Sequence, residues 1–335
     1  LHHPYVPLSP LPVTNGGTIV LKVRDQFGNV AAGDVVNGNY YSGVISFNSS
    51  GSSTTVTLRD PIASATYHIF TPAEQGVFTN LSVSDIYQEV LRVGASDYHN
   101  QSLFGYTNDG ARPGLPAGAA LHSDGDVELA GVVITPRDIA PESNPPPNGP
   151  IPSDKIAAGV TKKTLNQGDG NDPAESPDPI AMMRLSMQVA ATQASALSSS
   201  LSSIRVRSRA VGTKVFDDAK VTELGLWFDL NANGRFDAPP SGDVLLATGA
   251  YDGSGQWFFG SSAYGQVALD VVDPINTQIN NTNRSFFLAV RLSTSGYAPN
   301  ELPASFGLQI QDPSNVTLTL GSQLAVAANN FALFT

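Results

Sequence analysis

The chain has 335 residues, about two domains at roughly 150 residues each, and its longest apolar runs, 286–290 and 324–328, fall far short of the ~20 residues of a membrane helix. Eighteen basic and 29 acidic residues leave a net charge of −11, which argues against nucleic acid and anionic lipid and excludes a polyanion binder on that count. Only 14% of residues are charged, with 31 Gly, 24 Pro and no Cys, which points to an extracellular β-rich protein and excludes disulfide frameworks, thiolate zinc sites and cysteine nucleophiles.

The sequence opens at Leu1 without a Met or a leader pattern, so it reads as a processed form or a fragment, with secretion followed by cleavage the expectation. Residues 1–14 form an extended arm. Its four prolines bar a regular internal strand, yet it carries Tyr5, Val6, Leu8, Leu11 and Val13, more apolar surface than a solvated tail needs. Residues 15–98 read as a β-sandwich. Thr18 to Arg24 alternates Ile19, Leu21 and Val23 against Lys22 and Arg24, the period-2 pattern of a half-buried strand. Further strands are expected over 43–47, 54–58, 65–70, 77–83 and 89–93, separated by turn residues. His68 falls in one of them with no evident partner.

Val23 to Val30 with its Asp25-Gln26-Phe27-Gly28-Asn29 turn, then Gly43-Val44-Ile45-Ser46-Phe47, Gly76-Val77-Phe78 and the closing Leu91 to Asp97 carry a family signature. The segment resembles the bacterial Ig-like repeats of large surface and adhesin proteins. The resemblance implies an Ig-like spacer or presentation module with no catalytic residues.

Residues 99–180 hold 12 of the 24 prolines, with 5 basic and 11 acidic residues, and read as an acidic Pro/Gly-rich connector. Pro145-Pro146-Pro147-Asn148-Gly149-Pro150 cannot pass through a central strand or helix. One stretch, Val127 to Ile134, reads as a strand that packs on a neighbour. The acidic runs at 124–128 and 168–175 read as solvated charge.

Residues 181–335 repeat the β pattern with longer strands, at 183–190, 203–208, 221–229, 244–248, 256–259, 266–271, 284–292, 304–310 and 316–320, enough for a larger sandwich. After the strand with Leu224, Leu226 and Phe228 on one face comes Asp229-x-Asn231-x-Asn233-Gly234-x-Phe236-Asp237, followed by Gly242-Asp243. Oxygens at alternate positions 1, 3 and 5, a Gly at 6, a carbonyl at 7 and an acid at 9 suit a calcium ion. Asp229, Asn231, Asn233, the Arg235 carbonyl and Asp237 fill those slots. Pro240 replaces the bidentate Glu of an EF-hand, so Asp243 is the extra candidate ligand. The alternative is an Asn/Gly-rich turn without metal. The run from Leu226 to Leu246 also resembles secreted bacterial β-sandwich modules with a D-x-N-x-N/D-G-x-x-D loop and a following G-D-x-L-L, in which the loop is structural. Phe331, Leu333 and Phe334 close the chain as a strand-like apolar tail.

No G-x-S-x-G, H-E-x-x-H, P-loop or G-x-G-x-x-G constellation occurs, so no enzyme is expected. His2 and His3 read as part of a solvated arm. Sequons at Asn48, Asn80, Asn100, Asn280, Asn283 and Asn315 imply glycans only where the source glycosylates Asn. Lys22, the one Lys of the first sandwich, faces outward and is a poor isopeptide candidate.

The fold class is therefore all-β, two Ig-like or β-sandwich domains joined by an extended connector. The functional expectation is a structural subunit of an extracellular fibre, filament or adhesin stalk, secreted to a bacterial cell surface and self-associating through its terminal segments. The competing reading is a calcium-dependent carbohydrate-binding or accessory module of a larger secreted protein. Trp227, Trp257, Phe258 and Tyr264 are then candidates for a glycan-binding row, although core packing competes for most of them.

Overall fold

The computed structural model describes residues 11–14, 17–23, 30, 41–50, 56–99, 104–106, 127–137, 139, 178–190, 197–210, 217–237, 242–293, 306–320 and 324–334. The fold is all-β. Among these residues the one α-helix is the four-residue turn Leu269–Val272. Among the described residues no helix is long and apolar enough to cross a membrane. The chain forms two compact units. The first comprises Leu1–Gly131, Ala190–Ala196 and Gln323–Ala325, and the second comprises Val132–Val189, Leu197–Ser322 and Val326–Thr335.

In the first unit, Thr18–Lys22 and Thr57–Arg59 flank Val77–Ser84 in an antiparallel sheet. The expected alternation holds: Ile19 and Leu21 are buried, while Thr18, Val20 and Lys22 are exposed. A second sheet runs Tyr67–Ile69, Val44–Ser50, Val90–Asp97, with Phe104–Tyr106 on the last of these. Phe78, Leu81 and Val83 from one sheet and Ile45, Leu91 and Val93 from the other share one core, which makes this unit a sandwich. The turn at 24–29 that carries the adhesin resemblance lies outside the described residues.

Two segments placed by sequence in the arm and the connector are strands. Leu11–Thr14 pairs in parallel with Val127–Ala130, although Pro12 supplies no N–H. A single paired neighbour explains the tolerance, since an edge strand leaves one side without ladder bonds. Val127–Arg137 continues through Pro136, with 127–131 in the first unit and 132–137 in the second. Leu11 and Val13 therefore belong to a strand paired within their own chain rather than to a free arm. Tyr5, Val6 and Leu8 lie outside the described residues.

The second unit has one sheet of Val244–Thr248, Val221–Phe228, Arg284–Leu292 and Ile180–Ala190, antiparallel throughout. Opposite it lie Ala250–Tyr251, Gln256–Phe259, Ser199–Ala210, Phe306–Ile310 and Leu333–Phe334. Gln278–Ile279 and Val316–Leu318 pair farther along Ser199–Ala210. Met183, Leu185, Leu226, Phe286, Trp257 and Phe259 are almost wholly removed from water. Residues 285–290 are buried without alternation, which requires cover on both faces of that sheet. The second cover is a cluster of Trp227, Phe287, Ala289 and Ala181 with Ile139 and Phe236.

Two expectations fail here. The strand expected over 266–271 is instead a short helical turn in which Leu269 alone is inserted, at 1% exposure, while Val267, Val271 and Val272 face solvent. The cause is local. Asp273 accepts from the Asn276 N–H at 3.0 Å and from its Nδ2 at 2.8 Å, and its carbonyl accepts the Thr277 hydroxyl at 2.6 Å, closing a compact turn where a ladder would need extension. The apolar C-terminal tail is also not free. Leu333 is fully buried, pairs with Ile310, and is followed by Phe334 beneath the Arg209 guanidinium at 4.1 Å, with Phe331 half-buried.

Candidate functional site

The strand Val221–Phe228 delivers Asp229 to the edge of the second unit's first sheet, where the Asp229 N–H still donates to the Ser285 carbonyl at 3.0 Å. The chain then turns back on itself. Ala232 and Gly234 adopt positive φ of 56° and 73°. At Gly234 the positive φ disfavours any side chain, and a Cβ there would lie 2.4 Å from the Arg184 guanidinium, which would have to move aside. Phe236, 5% exposed, fixes the far side of the loop to the sheet, edge-on to Trp227 and Phe287 at centroid distances of 5.3 and 5.7 Å.

The oxygens picked out from sequence come together in this loop. Asp229, only 2% exposed, accepts the N–H of Asn233 at 3.2 Å and of Gly234 at 2.9 Å. Asn231 Oδ1 accepts the Asn233 N–H at 3.1 Å, and Asn233 Oδ1 accepts the Arg235 N–H at 2.7 Å. Asp237 Oδ2 receives Nδ2 of both Asn231 and Asn233, at 2.9 and 2.8 Å. Asp243, 6% exposed, closes the ring by accepting from Leu230 and Asp237 N–H groups at 3.3 and 2.9 Å. Arg235 itself is half-buried.

Three carboxylates thus share one small loop. Burial pushes Asp243 up to about 6, with the charges of Asp229 and Asp237 adding to it and two backbone bonds opposing. Burial also raises Asp229, against the Gly234 bond and the nearby Arg184 guanidinium. Hard oxygen donors, crowded negative charge and a tight glycine turn fit a calcium ion in kind. The oxygens accept the loop's own N–H groups, and among the described residues no three acidic or histidine side chains are disposed to hold one ion by themselves. Sequence reasoning found the oxygens but not the roles of Phe236 and Arg184, whose contacts, Phe236 with Phe287 and Arg184 with Gly234, join the loop to other strands.

The aromatic row does not form. Trp227 and Trp257 are buried at 3% and 1% exposure, whereas half-buried Phe258 stacks on exposed Tyr264 at 4.1 Å. In the first unit, His68 gains partners that the sequence left unnamed: Nδ1 is 2.7 Å from Asp60 Oδ2, and Nε2 lies 2.8 Å from Glu74 Oε1, within ion-pair reach but off a straight hydrogen-bond line. The ring lies flat on Phe78 at 3.8 Å. His99 is exposed, while His2, His3, His122 and residues 168–175 fall outside the described residues.

Compared with known proteins, the chain matches no family model, and no curated protein is similar to it in sequence.

Proposed function

We propose that the chain is a structural subunit of an extracellular fibre or surface stalk, in which copies join by exchanging their outermost strands. One observation carries this reading: the last strand of the chain is an added edge strand. Leu333–Phe334 ends the sheet order of the second unit, held by pairing to Gln309 and Ile310, by burial of Leu333 and by Arg209 over Phe334. A two-residue strand of this kind docks equally well on the same edge of another copy, because backbone bonds and one apolar socket specify it. Exchange in trans produces a head-to-tail contact, which extends into a filament when the rotation does not close. Leu11–Thr14 on Val127–Ala130 is a second segment of the same type.

Calcium has a supporting part in this reading: an ion in the 229–243 loop neutralises three crowded carboxylates and stiffens the second unit.

The test is truncation after Asn330. Light scattering on the full chain should give masses that rise with concentration, and the truncated chain, with its β circular-dichroism signal retained, should stay at monomer mass. Unchanged polymerisation of the truncated chain contradicts strand exchange at this edge.

A further inference from the structure

Ser199–Ala210 presents Arg205, Arg207 and Arg209 from one face, opposite buried Ile204 and Val206. Same-face residues on a strand repeat every ~6.6–6.8 Å, so three guanidinium groups stand in a row. Arg205 and Arg207 are exposed and Arg209 is half-buried. Their cross-strand neighbours are uncharged: Phe258 faces Arg205, Gln256 and Gln309 face Arg207, and Gly307 faces Arg209. Arg207 donates to Gln311 at 2.6 Å, and Arg209 covers Phe334. Among the described residues none of the three forms an ion pair, in a chain with 29 acidic residues. Like charges in a row repel, and among the described residues no acid is paired with them to relieve this cost.

We infer that this row, with the Phe258–Tyr264 stack beside it, binds an acidic polysaccharide, a sugar chain bearing carboxylate or sulfate groups. Guanidinium forks take such groups through paired hydrogen bonds. Tyr264, 41% exposed and stacked on Phe258, offers an aromatic platform to the apolar face of a sugar ring next to the Arg205 position. The position in the sheet selects against an acidic peptide. Ser199–Ala210 is an inner strand, paired on both sides, so an extended peptide finds no free backbone edge to join. Nucleic acid is disfavoured by the net charge of −11, which repels a dense phosphate backbone. The inference runs against the expectation that the net charge excludes polyanions, because a local row of guanidinium groups presents positive charge whatever the sum over the chain. The site is independent of calcium, and Arg209 is left out of the variants below because it also covers Phe334.

Binding of the full chain to immobilised polygalacturonate, dextran sulfate, neutral dextran and polyglutamate, in chelator and at low salt, tests the inference. One or both acidic polysaccharides should bind and neutral dextran should not; which of the two binds tells carboxylate from sulfate. The double variant R205Q/R207Q should weaken binding at least tenfold, and Tyr264→Ala at least threefold. Arg59→Gln, the loss of one charge on an exposed residue of the first unit, should leave binding unchanged. The inference is overturned if no acidic polysaccharide binds, if Arg59→Gln weakens binding as much as the double variant, or if polyglutamate binds as tightly as the sugars and Tyr264→Ala has no effect. Melting curves of the exposed-residue variants confirm that they fold.

Discussion

His68 Nδ1 lies 2.7 Å from Asp60 Oδ2 across the turn that joins two strands of the first unit, with both side chains buried. Asp60 also organises that turn, accepting N–H groups from Ile62 at 2.8 Å and Ala63 at 3.2 Å through its other oxygen. Removing the imidazole leaves the buried Asp60 Oδ2 without its partner and deletes the ring packed on Phe78. His68→Ala should therefore lower the stability of the first unit by about 3–5 kcal/mol, read from its urea unfolding transition. A loss under 1 kcal/mol contradicts the pairing.

The same pair sets an acid limit. Burial alone raises Asp60, but the bonds from His68, Ala63 and Ile62 outweigh it and hold the carboxyl below its ordinary value. A carboxyl lowered by folding contributes stability that is present above its unfolded value of about 3.9 and is lost as pH falls through the folded one. The first unit should lose stability below about pH 4, and Asp60→Asn should remove that part of the acid dependence in a urea series.

In the second unit the sign is reversed. Asp243 is raised to about 6 by burial and by its acidic neighbours. A raised carboxyl favours the protonated folded form, so its contribution is complete below about pH 4 and disappears as pH climbs through 6. In chelator, the second unit should be more stable at pH 5 than at pH 7, and Asp243→Asn should flatten the difference. A rise in stability between pH 5 and 7 that Asp243→Asn abolishes contradicts this assignment.

Calcium should invert that trend, because a cation takes the place of the proton. Adding millimolar calcium at pH 7 should raise the second unit's melting temperature, and Asp229→Ala should abolish the response. Identical calorimetric traces with calcium and with chelator rule out calcium in this loop.

Phe236 ties the loop to the sheet, so Phe236→Ala should cost about 3–5 kcal/mol by leaving a cavity against Trp227 and Phe287. Fluorescence of the buried Trp227 should shift to the red in this variant. A blue-edge spectrum with unchanged stability removes the anchor.

Alternation made one kind of strand legible: Ile19 and Leu21 declare their buried face by period alone, whereas Leu224 to Phe228 are buried on both faces. The loop oxygens were legible because their spacing is local. What escaped depended on distant partners. His68 reads as a lone strand residue until the fold supplies Asp60 and Glu74, and nothing in the local sequence announces that Arg184 meets Gly234. The arginine row was visible as R-x-R-x-R but lost in the net charge, since summing charge discards position. Leu333 and Leu11 read as free apolar ends, because no local pattern records which edge a short strand will join.

Strand exchange between copies is most directly tested by an electron micrograph of the negatively stained full chain after concentration at neutral pH with calcium. The account expects unbranched filaments, absent from the chain truncated after Asn330. Uniform isolated particles of single-chain size at every concentration contradict it.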